Sequence, residues 1–183
     1  MIQKIIFNEN VKIERNIACI GYFDGAHKGH QQLINKTVEL ANSKGLTPVL
    51  ITFDPDPYEV INKEKNKQIT NLKERIKLFE MFGIKKVVIV PFDDSLMKMS
   101  TLEFKENILD HLNIDVLVCG FDYSYGYKGK GNYKTLKKDG VNIELVKEYT
   151  FYGKKVSSTR IRNEIDKGNY KLVNRLLGYE YKR

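Results

Sequence analysis

The chain has 183 residues, 42% hydrophobic and 30% charged, the balance of an ordinary globular domain and not of a disordered or fibrous chain. No apolar run reaches the ~18 residues that a membrane span needs, and Met1 to Val11 hold Lys4 and Glu9 with no apolar core or small-residue cleavage site, so neither a span nor a signal peptide is predicted. The formal charge of +8 suits an anionic ligand, but the lysines are scattered, and the densest run, Lys63-Glu64-Lys65-Asn66-Lys67, reads as an exposed loop and not as a nucleic-acid patch.

Taken in order, Asn16 to Tyr22 is a short apolar run that predicts a strand. His27 to Lys44 places Leu33, Ile34, Val38 and Ala41 at helical spacing, and Gly45 ends the helix. Thr47 to Phe53 predicts the second strand. Asn71 to Phe82 is helical by Leu72, Ile76, Leu78, Phe79 and Phe82, and Gly83 stops it. Lys86 to Pro91 is the third strand. Ser100 with Glu103 forms a capping-box pattern, and Phe104, Ile108 and Leu112 share one face of the helix that follows. Asp115 to Gly120 and Val141 to Val146 are the fourth and fifth strands, and Ser157 to Leu177 reads as two short helices broken near Gly168. Cys19 and Cys119 sit inside apolar strands, which predicts buried thiols, a reducing cytoplasm and no disulfide framework.

Strand and helix alternate, and the strands are nearly continuous in apolar residues. This predicts an α/β fold: one domain over 1–183, a doubly wound, Rossmann-like parallel sheet of about five strands with C-terminal helices packed beside it. Such sheets bind ligands at the carboxyl ends of their strands. The loops after Tyr22, Phe53, Pro91 and Gly120 therefore fall on one rim.

The segment Gly21-Tyr22-Phe23-Asp24-Gly25-Ala26-His27-Lys28-Gly29-His30 occupies the first of these loops. Two imidazoles three residues apart at a helix start can face one side, where free amides and the dipole favour a phosphate. Alone, the pair reads equally as capping or surface histidines, and a metal site would need a third ligand that does not stand near. The whole string is more specific. It resembles the His-x-Gly-His signature of the nucleotidyltransferase superfamily, and within it the Gly-x-Phe-Asp-Gly-x-His-x-Gly-His-Gln of the FAD synthetase domain of bacterial riboflavin kinase/FAD synthetase, a match that Gln31 continues. Val156-Ser157-Ser158-Thr159-Arg160-Ile161-Arg162 alone reads as an N-cap and an amphipathic helix, but it is similar to the family's Ser-Ser-Thr-x-Ile-Arg string. Thr52-Phe53-Asp54-Pro55-Asp56-Pro57 resembles its Phe-x-Pro-His-Pro segment. Gly120-Phe121-Asp122-Tyr123-Ser124-Tyr125-Gly126, with Gly129 and Gly131 after it, resembles its Gly-x-Asp/Asn-Phe-x-Phe-Gly segment. Val173 to Tyr181 is like the family's domain end.

The resemblance implies transfer of AMP from ATP to FMN, giving FAD and pyrophosphate, with Mg²⁺ expected beside the triphosphate and no protein metal ligand named. It implies that His27, His30 and Arg162 serve catalysis. Gly21, Phe23, Asp24, Ser158, Thr159 and Arg160 would join the histidines at ATP, and Phe53, Pro55, Pro57, Asp122 and Tyr125 would hold the flavin. Asp122 reads equally as a strand-end turn residue, and His111 as structural. Asp56 stands where the family carries histidine, and Ile61 where it carries phenylalanine; both fall in the segment assigned to the flavin pocket. The family's kinase domain has no counterpart within these 183 residues. The expected partners are small molecules, with no nucleic acid and no membrane. Two alternatives remain: a related nucleotidyltransferase with another phosphate acceptor, and a non-catalytic nucleotide- or flavin-binding regulator.

Overall fold

A computed structural model describes residues 1–182. The elements run β1 (Gln3–Ile6), β2 (Asn16–Ile20), α1 (Lys28–Lys44), β3 (Thr47–Asp54), α2 (Pro57–Asn62), α3 (Leu72–Met81), β4 (Lys86–Pro91), α4 (Asp94–Lys98), α5 (Thr101–Phe104, continued by a wider turn to Asp110), β5 (Ile114–Gly120), β6 (Ser124–Tyr125), β7 (Gly131–Asn132), α6 (Tyr133–Lys138), β8 (Ile143–Val146), β9 (Thr150–Phe151), β10 (Lys154–Lys155), α7 (Ser158–Asp166) and α8 (Tyr170–Leu177).

Six strands form one sheet in the order β1-β4-β3-β2-β5-β8, every neighbouring pair parallel. The five expected strands are all present, and the sixth is β1. Its short sequence, Gln-Lys-Ile-Ile, lies at the edge with three of four residues exposed, so it lacks the continuous apolar signal of a covered strand. Helices α2, α4 and α6 were not expected. Each is only five or six residues long, too short for a hydrophobic period to declare itself.

Strand side chains alternate between two cores. Ala18, Ile20, Val49, Ile51 and Leu117 pack with Phe104, Ile108 and Leu112 on one face, while Ile17, Cys19, Leu50, Val116 and Val118 pack with Ile34, Ala41, Ile76 and Phe79 on the other. A third cluster joins α7 and α8 to the loops through Ile69, Val156, Ile161, Val173 and Leu176. Both thiols are free and buried, and burial pushes Cys19 up to about 12 and Cys119 up to about 11. From β2 the chain winds through β3 and β4 to one side, and later through β5 and β8 to the other. The order therefore reverses between β2 and β5, and at such a switch point the loops diverge and leave a crevice.

Candidate active site

The loop from β2 to α1 forms one wall of that crevice, and its backbone is constrained. Phe23, Gly25 and Ala26 have φ of 58°, 73° and 36°. Non-glycine residues hold such conformations only where their surroundings over-determine them. Here the Asp24 carboxylate accepts from the Ile69 and Thr70 amides at 2.9 and 3.0 Å and from Arg162 at 2.8 Å. The Gly25 amide donates to Thr70 Oγ1 at 2.8 Å, and its carbonyl accepts from the Tyr179 hydroxyl at 2.6 Å. Gln31 Nε2 donates to the Ala26 and Leu177 carbonyls at 2.9 and 2.5 Å, and Ser158 Oγ to the Asp24 carbonyl at 3.0 Å. The C-terminal helices are thus clamps on the loop. Gly25 is required because a Cβ would lie 2.9 Å from Ile69 Cγ2.

His27 caps α1. Its Nδ1 accepts from the His30 amide at 3.2 Å, and the two rings stack with centroids 3.6 Å apart and planes 14° apart. Gly29 leaves room for this, since a Cβ there would lie 3.1 Å from His27 Cε1. Phe23 turns inward and meets His30 edge-on at 5.1 Å. Burial pushes His27 down to about 4, and burial and the neighbouring ring hold His30 well below its usual value. Both rings are neutral at pH 7. With Nδ1 of His27 accepting, its proton sits on Nε2 and is free to be donated.

The unfolded chain protonates His27 near pH 6.5, and the folded chain only near 4. Between those values the unfolded chain binds more protons, so stability falls as pH drops, by about 1.4 kcal/mol per pH unit from this ring. Urea unfolding at pH 7.5 and 5.0 is expected to show a loss of about 2 kcal/mol at the lower pH, and His27→Asn reduces that loss. A midpoint indifferent to pH contradicts the neutral stack.

Two cavities open on the crevice. The smaller, about 210 Å³, is lined by His27, His30, Asp122, Lys155, Ser157 and Ser158. The larger, about 780 Å³, is walled by Tyr22, Phe53, Pro57, Ile61, Phe92, Tyr123 and Tyr125, with Gly21 at its edge. Asp122 lines both, and its carboxylate pairs with Lys155, whose ammonium also lies 5.2 Å from the centre of the Phe121 ring.

The structure sorts the expected site residues by position. His27, His30, Ser158 and Asp122 face the smaller cavity; Gly21, Phe53, Pro57, Asp122 and Tyr125 line the larger. Six lie on neither wall. Phe23 and Asp24 are buried behind the loop. Arg162 holds the Asp24 carboxylate, and Arg160 donates to the carbonyls of Phe151, Lys154 and Lys155 at 2.8–3.2 Å, fastening the β9–β10 hairpin. Pro55 is exposed outside the larger cavity, as Thr159 is outside the smaller. Of the two departures from the family strings, Ile61 lines the larger cavity, whereas Asp56 is buried behind it. Sequence reasoning assigned nothing to Lys155, Tyr22 or the Phe92-to-Met97 stretch, although the rim rule had already placed the loop after Pro91 beside the site.

A family model for FAD synthetase matches residues 10–160. The chain belongs to the FAD synthetase family. It is 35% identical over 172 residues to a bifunctional riboflavin kinase/FMN adenylyltransferase of Bacillus subtilis, and 36% identical over 170 residues to one of Listeria monocytogenes. These alignments cover 91% and 90% of this chain, which spans about half, 54%, of the length of each relative. A crystal structure described as a macrolide-efflux protein from Streptococcus pneumoniae superposes with a TM-score of 0.90 at 29% identity, over 99% of this chain and 63% of that one. Among the described residues no helix is long and apolar enough to cross a membrane.

Proposed function

We propose that this FAD synthetase family member transfers AMP from ATP to FMN, releasing FAD and pyrophosphate. The observation that carries the reading is the junction of the two cavities at Asp122. A small cavity at helix N-termini, where two histidines, two serines and Lys155 stand among apolar side chains, opens beside a large apolar one walled by aromatic rings. The first suits a nucleotide triphosphate and the second a flat, fused ring system.

In the reaction an FMN phosphate oxygen attacks the α-phosphorus of ATP. The new P–O bond forms as the bond to the bridging oxygen breaks, and pyrophosphate leaves with that electron pair. A phosphate dianion needs no base, so catalysis rests on alignment and charge stabilisation. His27 donates from Nε2 to a phosphoryl oxygen, and His30 supports the charge that develops during transfer. The Ser157 hydroxyl, the backbone amides that open α7 and Lys155 hold the departing phosphates, while Arg160 and Arg162 act from behind by fixing the hairpin and the loop. Among the described residues no three His, Cys, Asp or Glu side chains converge as a metal site. Mg²⁺ carried by ATP would be held chiefly by phosphates and water and would neutralise part of the triphosphate charge. The buried free thiols fit a cytoplasmic setting, and the scattered lysines fit no nucleic-acid partner.

An acceptor panel with ATP labelled at the α-phosphorus tests the reading. Label is expected to pass to FMN and not to pantetheine phosphate, nicotinamide mononucleotide or glycerol phosphate. Preferential labelling of one of those overturns the acceptor; ATP binding without any transfer points to a regulatory protein.

A further inference from the structure

Two tyrosines in the wall of the larger cavity carry hydroxyls that the rest of the chain does not use. Tyr123 and Tyr125 follow Asp122 just beyond β5, and both line that cavity. The family string carries phenylalanine at both places, so the rings keep its aromatic wall and the hydroxyls are this chain's own. The two rings stack, with centroids 5.8 Å and planes 10° apart, and Tyr125 leans on Phe104 at 5.3 Å. The Tyr123 amide donates to the Gly120 carbonyl at 3.1 Å. A Cβ at Gly131 would lie 2.5 Å from Tyr125 Cε1, so β7 closes directly over that ring.

Neither hydroxyl makes a hydrogen bond among the described residues, but they differ in access. That of Tyr125 is sealed from solvent. That of Tyr123 is not sealed, and its residue is half-buried. Burial still pushes the Tyr123 hydroxyl far above its usual value, with Cys119 and Tyr125 adding smaller pushes. A group that is accessible and yet surrounded opens into a recess and not onto the outer surface. The recess that Tyr123 lines is the larger cavity. The hydroxyl keeps its proton at neutral pH and is able to donate.

Most side chains around it there are aromatic or aliphatic, Phe53, Phe92, Leu96 and Phe104 among them. A flat heterocycle with carbonyl oxygens or bare ring nitrogens loses their hydration on entering such a slot, and that loss costs affinity unless a donor replaces the water. A hydroxyl on a stacked ring with a pinned backbone is already ordered, so little entropy is lost when it does so. A slot with apolar walls alone accepts any flat ring that fits, whereas a placed donor also selects for the acceptor atom.

We infer that Tyr123 is a specificity-determining residue for the acceptor, its hydroxyl donating to a carbonyl oxygen or bare nitrogen on the edge of the flavin ring. The inference rests on the adenylyl-transfer reading of the site.

Tyr123→Phe removes one hydroxyl and keeps the stacked ring. The expected result is a rise of about fivefold in the Kd for FMN, read by flavin fluorescence. The Kd for lumiflavin, the same ring with a methyl group in place of the phosphorylated chain, rises by the same factor. The KM for ATP and the unfolding midpoint of the ligand-free variant stay at wild type. Unchanged FMN binding overturns the inference. So does a weakening confined to FMN, which puts the contact on the phosphorylated chain, and so does wild-type protein that binds FMN but no lumiflavin. A lowered unfolding midpoint, or an equal loss of ATP, marks a structural role and overturns it as well. Wild-type protein that binds FMN and forms no FAD overturns the functional reading alone, because the binding measurements still decide the role of Tyr123; wild-type protein that binds no flavin overturns both.

Discussion

Replacing His30 with alanine is expected to lower the turnover of FAD formation by about 10²–10³-fold and to leave the chain folded. The ring stands at the first turn of α1, stacked on His27 and edge-on to Phe23, and it lines the smaller cavity. Its imidazole is largely enclosed, which removes competing water and strengthens any interaction with charge that develops at the α-phosphorus. It caps no helix, so its loss leaves the local backbone bonds intact. His27→Ala behaves differently. It removes both the proposed phosphate donor and the N-cap of α1, and about 1 kcal/mol of stability is expected to go with the cap. Steady-state kinetics separates the effects: His30→Ala lowers kcat far more than it raises the KM for ATP. A turnover within a few-fold of wild type removes His30 from the mechanism.

The largest stability effect is expected at Asp24. Its carboxylate is 3% exposed and accepts from two amides and Arg162. Asp24→Ala leaves a guanidinium and two amides without their acceptor, at a cost of about 3–5 kcal/mol. For a chain of this size that lowers the melting temperature by about 10 °C. Asp24→Asn keeps an acceptor for the amides and is milder. Activity falls with both, because the loop carrying Phe23, Gly25 and Ala26 at positive φ persists only while its clamps hold. Thermal unfolding and FAD formation measured on the same preparations check this. A melting temperature within about 2 °C of wild type for Asp24→Ala would show that the carboxylate is not the anchor the bonding pattern describes.

Arg162 shows where sequence stops being legible. The string Ser157 to Arg162 reads alone as an N-cap and an amphipathic helix and suggests a phosphate site only through its family resemblance; its two serines face the smaller cavity. Whether an arginine points at a ligand or at a carboxylate depends on a partner 138 residues away, and no local pattern carries that information. The parallel sheet was readable because strands covered on both faces must be apolar throughout, as β2 and β3 are. Edge strand β1 escaped because half-exposure erases that signal. Asp56 was visible only as a departure. Its burial behind the cavity follows from the way α2 turns back after β3, a tertiary fact. Lys155, in a two-residue strand, had no signature of its own; β9 and β10 place it opposite Asp122.

FMN adenylylation by this chain is tested most directly by incubating it with ATP, Mg²⁺ and FMN and following FAD and pyrophosphate by chromatography, with riboflavin in place of FMN as the control. Riboflavin lacks the phosphate that attacks. The expected result is FAD and pyrophosphate in equal amounts from FMN, and neither from riboflavin. ATP bound with no FAD formed would contradict the account and leave a nucleotide-binding member of the family whose acceptor is not FMN.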